Sequence, residues 1–482
     1  MEMIQQAFHS ILATEILMLL AVIAFFVFTV RMVNSIREDR KGWLMLAGIL
    51  LLGLALRVGW IAWTQPQPVS DFGVYWQYAN AFHNGDLTYN IIIRHPGTIL
   101  LYTYAFYLLG PSLLTGWIMN LFLSAVMLLT IYALTVMTLN SKALGRWAML
   151  AAALLPQAIT YTALMATEIP GVIFSLLVLW AMLYSKEREQ AQPGIPQWLY
   201  WVGIGELLYG TVLIRSSNLI FLVLVPMVFL ITRRDDWKRW TKQFAVMTVT
   251  TCVLLSSWVY HQDLVGGSPK LFWGDALWMA CAINYKNSGG YTNPKELPLW
   301  PQVEPTYKQF EKTGTPRDEA KFYDVLGREV MKVIMADPGK YLINGFPRLK
   351  RTIWTSQTGM RWTERGSTKL KTVPEKALHR FATISNVIWQ VLLLLSPLGF
   401  LNLFRRQYTK SEGLWFIFLF TGSWLVFYLV LAEANERYSF QLIPFVLILV
   451  MSAFSWLSSL FKQPSQSSRQ DRAIETATAS AT

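Results

Sequence analysis

Eleven stretches of this 482-residue chain stay apolar for about as long as a helix needs to cross a bilayer, and that repetition constrains the fold most. A spanning helix takes roughly 17–25 residues. Such runs lie near 11–30, 43–63, 112–139, 146–164, 168–184, 198–214, 217–232, 243–261, 385–404, 414–432 and 438–461. In hydrocarbon the backbone must bond to itself, which favours helices. The expected class is an all-α polytopic membrane protein with about eleven transmembrane helices. Charged residues make up 15% of the chain, against about 25% in soluble domains. The 21 Trp and 20 Tyr suit a chain with many membrane–water boundaries. A net charge of +13 is what basic inner loops produce, so it does not point to nucleic acid. Cys252 lies in an apolar run and Cys281 in a polar loop, which offers neither a disulfide framework nor a thiolate metal site. The first ten residues lack the basic start of a signal peptide, and the run after them is read as a retained helix.

The basic loops fix an orientation. Arg31–Lys41, Lys142–Arg146, Arg233–Lys242 and Arg405–Lys410 should all be cytoplasmic. They share one side only if the short apolar stretch Gly97–Gly110 does not cross, so it is expected on or in the outer leaflet. The chain then divides into a transmembrane module, 1–261, whose first outer loop is 64–97; an α-rich extracytoplasmic loop, 262–384; and C-terminal spans, 385–461. A disordered cytoplasmic tail, 462–482, is expected after them. In the long loop, Thr315-Pro316 reads as a cap and first helical position, and the helix should end near Ala336. A second, amphipathic and basic helix from Lys340 to Trp354 suits the membrane surface.

Several polar residues fall on the outer face. Ser70-Asp71 opens a helix that Asn84-Gly85 should stop, with Phe72, Trp76 and Ala79 along one side. Asp71, in the first turn, can accept a hydroxyl proton or hold a divalent cation such as magnesium or manganese; Ser-Asp is also a common helix start. Arg94 and His95 can meet a phosphate or serve as an interfacial anchor and turn. Glu168 begins a span, as a functional acid or as a cheap helix-start acid beside water. Arg57 and Arg215 lie in or at the ends of apolar runs, and Arg57 is as readily structural. In the hairpin Ala434-Asn435-Glu436-Arg437-Tyr438, Arg437 and its neighbour Tyr438 can bind an anion.

These segments resemble a known family. Ser-Asp-x-x-x-Tyr-x-x-x-Ala from Ser70, then Asn-Gly-Asp, His-Pro-Gly and a stretch closing at Gly110, are similar to the bacterial GT-C glycosyltransferases. That superfamily includes protein O-mannosyltransferases and the lipid A aminoarabinose transferase. Leu-Pro at 155–156, Thr-Glu-x-Pro at 167–170, Asp-Pro-Gly-Lys-Tyr at 337–341 and Glu-Arg-Tyr at 436–438 follow in the family's order. The resemblance implies a multi-spanning fold with two juxtamembrane helices in the first outer loop and a catalytic acid there, Asp71. Members often carry a second acid beside the first; Phe72 stands there, so Asp71 acts alone or with Glu168. The expected activity is inverting transfer of a sugar from a polyprenyl-phosphate carrier to a glycan, lipid or protein, outside the plasma membrane. Asp71 and Glu168 would be catalytic, with Arg94, His95, Arg215, Arg437 and Tyr438 binding phosphate or substrate. A lipid-linked oligosaccharide flippase and a polysaccharide polymerase or ligase are the alternatives.

Overall fold

The computed structural model describes residues 2–86, 95–191, 196–284, 290–405, 408–430 and 433–460. Arg94 and the tail 462–482 therefore lie outside the described residues. Among the described residues, eight helices are long and apolar enough to cross a membrane: His9–Ser35, Arg40–Thr64, Leu113–Leu139, Glu168–Lys186, Arg234–Gly266, Glu375–Phe404, Glu412–Val430 and Glu436–Leu460. Their outward sides are apolar, with Leu51 68% and Val253 62% exposed, a pattern that suits lipid and not water.

Of the other three expected spans, two are broken at a proline or a 3-10 turn and one is a single buried helix. Run 146–164 divides at Leu155-Pro156 into Lys142–Leu154 and Pro156–Thr160. Proline cannot donate back to Ala152, and the side chain of Arg57 takes over. Its Nη2 donates to the Ala152 carbonyl at 3.3 Å and its Nη1 to that of Ala153 at 3.1 Å. Arg57 is fully buried and structural, one of the two readings its sequence position allows. Run 198–214 is the 18-residue helix Gln197–Ile214, buried among its neighbours. Run 217–232 contains Pro226 and begins as a 3-10 turn before the helix Phe221–Thr232.

The four basic loops converge at one end of the bundle. Arg146 Nη2 donates to Glu38 at 2.7 Å. Arg233 grips Glu412 through Nε and Nη2, at 2.8 and 2.6 Å, with Lys186 at 3.1 Å. Tyr408 OH donates to the Leu139 carbonyl at 3.5 Å. The helices Arg40–Thr64, Glu168–Ala191 and Glu412–Val430 each have one terminus in this cluster. Their other termini lead to Asp71, Glu168 and Arg437.

Two short helices pack there against each other: Asp71–His83 and Pro96–Leu109. The second does not lie on a surface along its length. Residues Pro96 to Thr103 are buried, and only its end, with Leu108 82% exposed, faces outward. Glycine permits this: a Cβ on Gly97 would stand 2.7 Å from the backbone of Leu213 and Ile214. The apolar side of Asp71–His83 also packs on protein, with Trp76 edge-on to Phe106 at 5.1 Å and Phe72 edge-on to Trp362 at 5.5 Å.

The long loop builds a helical subdomain with its own small core around Trp273, Val303, Phe322, Leu326 and Val330. Pro316–Ala336 forms as its cap predicts, with Thr315 accepting from the Asp318 N–H. The expected helix 340–354 is instead two, Pro338–Ile343 and Gly345–Ile353. Arg348 does not face a membrane surface; it is buried and donates to the carbonyls of Ala282 at 3.0 Å and Leu429 at 2.7 Å. With the hydrogen bond from Tyr341 OH to the Val430 carbonyl, these bonds pin the subdomain to the end of a span.

Candidate active site

Asp71, Glu168, Arg215 and Arg437 come from four separate chain segments and meet beneath the subdomain. Arg437 Nη1 donates to Asp71 Oδ2 at 2.9 Å, and its Nε lies 3.7 Å from Glu168 Oε1. Arg215 Nη1 approaches the same Glu168 oxygen at 3.6 Å. The two longer contacts are ion pairs and not hydrogen bonds. Glu168 is 1% exposed and its arginine partners are largely buried. Two carboxylates and two guanidiniums alternate, and this makes the burial tolerable. A lone buried charge would cost several kcal/mol.

Tyr438 holds the arginines in place. The guanidinium carbons of Arg215 and Arg437 both stand 5.4 Å from its ring centroid. Its hydroxyl donates to Glu433 Oε1 at 3.1 Å, and Asn435 Nδ2 donates to the same oxygen at 3.2 Å. Burial pushes the Glu433 carboxyl above the ordinary glutamate range, against the pull of Arg437. Burial also pushes the thiol of Cys281 up to about 12, with the nearby Glu433 adding to the shift. Glu436 turns the other way, accepting from Thr358 Oγ1 at 3.1 Å and Arg361 Nη1 at 3.3 Å.

Local structure departs from expectation at Ser70. Its side chain makes no cap hydrogen bond, and its backbone sits at φ 55° and ψ −133°. Such a conformation at a serine costs about 1–3 kcal/mol. The strain falls directly before Asp71, where the chain turns into its helix.

Asp71, Arg437, His95 and Tyr438 line a cavity of about 820 Å³. Its far wall is formed by the subdomain, including Trp278, Tyr291 and Trp362. His95 directly precedes the helix Pro96–Leu109 and stands edge-on to Phe272 at 4.9 Å. Two narrow clefts continue from the Arg215 side. They pass Ser217 and Phe427 to reach Ile220, Phe420 and Trp424, between the turn Ser216–Ile220 and the helix Glu412–Val430. A polar chamber thus adjoins an apolar crevice, with Arg215 at the junction.

Asp71 and Glu168 both face Arg437, and no group of three His, Cys, Asp or Glu side chains gathers among the described residues. Of the expected site residues, Asp71, His95, Glu168, Arg215, Arg437 and Tyr438 share this one locality. Glu433 was missed by sequence reasoning, although three charged residues within Glu433–Arg437, between two spans, are themselves a signal.

No family model and no curated protein sequence matches the chain. Solved structures do. The archaeal oligosaccharyltransferase AglB from Archaeoglobus fulgidus, in complex with an inhibitory peptide and a dolichol-phosphate, is 14% identical with a TM-score of 0.52. The match covers 91% of this chain and 52% of that one. The same organism's oligosaccharyltransferase in complex with Zn and sulfate matches at 14% identity and a TM-score of 0.52, covering 86% of this chain and 49% of that one. Tethered to an acceptor peptide containing the NVT sequon, that enzyme matches at 14% identity and a TM-score of 0.53, covering 87% and 50%. The chain spans about half the length of these structures, and at such identity the likeness is one of architecture. Over the matched half of those structures, the chain shares their fold.

Proposed function

We propose that the protein is a glycosyltransferase that moves a sugar from a polyprenyl-phosphate donor to a hydroxyl on the extracytoplasmic side of the cell membrane, with inversion. The observation that carries this reading is the Asp71–Arg437 pair in a cavity that opens, past Arg215, into an apolar crevice. A carboxylate suits deprotonation of an acceptor hydroxyl. Two guanidiniums beside it suit a phosphate leaving group. The apolar lining of the crevice, Ile220, Phe420, Trp424 and Phe427, is of the kind an isoprenoid tail needs, and the AglB structure holds a molecule of that class, a dolichol-phosphate. The basic cluster at the opposite end of the bundle supports an outward-facing site by the positive-inside rule.

In this reading the acceptor oxygen attacks the anomeric carbon as its proton passes to Asp71. The bond from that carbon to the phosphate oxygen breaks, and the electron pair leaves with the phosphate, stabilised by Arg437 and Arg215. Arg94 and His95 would flank the same phosphate. Because Arg437 already holds Asp71, arrival of the donor phosphate draws that guanidinium away and makes Asp71 more basic. Glu168 keeps both arginines charged and aimed, or orients the acceptor. The module 1–261, the outer loop 262–384 and the spans 385–461 would supply base, acceptor wall and phosphate-binding arginine respectively.

The test is to incubate the purified protein with a single-sugar polyprenyl phosphate and a membrane-envelope extract as acceptor source. Free polyprenyl phosphate should appear, and the new glycosidic bond should have the opposite anomeric configuration to the donor. A flippase would move the donor between leaflets and release nothing. A polymerase or ligase would ignore the single-sugar donor and consume only a block-bearing one.

A further inference from the structure

Beyond the charge-matched floor of the cavity, its outer wall is basic. Arg351, Arg361 and Arg365 all line it. Arg361 and Arg365 are four residues apart on the helix Thr358–Gly366, so they stand one above the other on one face. Between them lies Trp362, whose ring carries the Arg365 guanidinium at 4.6 Å. Arg351 comes from the neighbouring helix Gly345–Ile353 and packs on Gly290, where a Cβ would lie 2.9 Å from its Cζ. Gly290 in turn forms a β-bridge with Ala434, beside the Arg437 hairpin. Glu436 pairs with Arg361 at 3.3 Å. Arg361 and Arg365 together bring two guanidiniums to one face of the helix Thr358–Gly366, beside this one carboxylate. Arg361 remains 53% exposed and Tyr291 63% exposed, so the wall is open to a ligand. The wall and the proposed base meet at adjacent residues of the hairpin: Glu436 pairs with Arg361, and Arg437 pairs with Asp71.

We propose that this wall is the acceptor subsite, and that the acceptor is an anionic glycan or glycolipid whose phosphate or carboxylate group is held by Arg361 and Arg365 while its hydroxyl reaches Asp71. The aromatic rings of Trp362 and Tyr291 cover the apolar faces of its sugars. The inference rests on the transferase reading above, and its test separates the two. The full-length protein in lipid nanodiscs is titrated with tri-galacturonic acid, with a phosphorylated maltotriose and with neutral maltotriose. At least one anionic trisaccharide should bind about ten-fold tighter than the neutral one or better. That preference should weaken with salt, vanish in Arg361→Gln/Arg365→Gln and return in Arg361→Lys/Arg365→Lys. Whichever anion is preferred identifies the charged group. Equal binding of all three sugars, no binding of any, or a preference untouched by the double substitution overturns the proposal. So does a double variant that loses only a preference for undecaprenyl diphosphate over monophosphate, since the arginines would then serve the donor. Failure of the parent protein to bind undecaprenyl phosphate at all would strike the donor reading and leave the sugar result standing.

Discussion

Replacing Arg437 by Gln removes the side chain that pairs with both Asp71 and Glu168. Breaking a buried ion pair by deleting one partner costs about 3–5 kcal/mol, because the other charge is left uncompensated. Two features of the structure pull the value to the low end. Glu168 retains Arg215 at 3.6 Å, and the Asp71 side chain, 24% exposed, can recover water. The expected loss is about 3 kcal/mol. Adding Asp71→Asn neutralises the stranded carboxylate and should restore about 1 kcal/mol, so the two substitutions are non-additive. Unfolding in mixed micelles of rising denaturing-detergent content, followed by tryptophan fluorescence, measures all four proteins of the cycle. A loss below about 0.5 kcal/mol for Arg437→Gln, or strict additivity, would show that the buried charges do not depend on one another.

Other consequences can be measured in the same way. The Glu433 carboxyl is held above the ordinary glutamate range by burial, so its protonated form supports the fold. That contribution is complete below the unfolded glutamate value and fades as pH rises through the raised folded one; Glu433→Gln should flatten the pH dependence of unfolding across that window. Arg57→Met strands the Ala152 and Ala153 carbonyls beside Pro156 and should cost about 2 kcal/mol, with a weaker loss for Arg57→Lys.

Much of this architecture is visible in sequence because bilayer physics is local. Runs such as 11–30 and 112–139 declare themselves by length, and the basic loops expected on one side do gather at one end of the bundle. The same logic fails where packing, not lipid, surrounds a segment. Helix Pro96–Leu109 looks interfacial by its fourteen residues, yet Gly97 lets its first turns sink against Ile214. The run 340–354 looks like a surface helix because Arg348 is charged, but two carbonyls presented by distant segments, at Ala282 and Leu429, draw it inward. At the site, Asp71 and Arg437 were legible as polar residues expected on one face. Their direct contact across 366 positions was not. Nor was the basic wall, since Arg361 and Arg365 gain their meaning only when Thr358–Gly366 closes over Asp71.

The central claim is that Asp71 takes the acceptor's proton. The most direct test is single-turnover release of polyprenyl phosphate by Asp71→Asn beside the parent protein, with donor binding measured on the same preparations. Asparagine keeps the shape and an oxygen for Arg437 but cannot accept a proton, so chemistry should fall by about 10²-fold or more while the donor still binds. Release at the parent rate would contradict the account and assign the proton to another group.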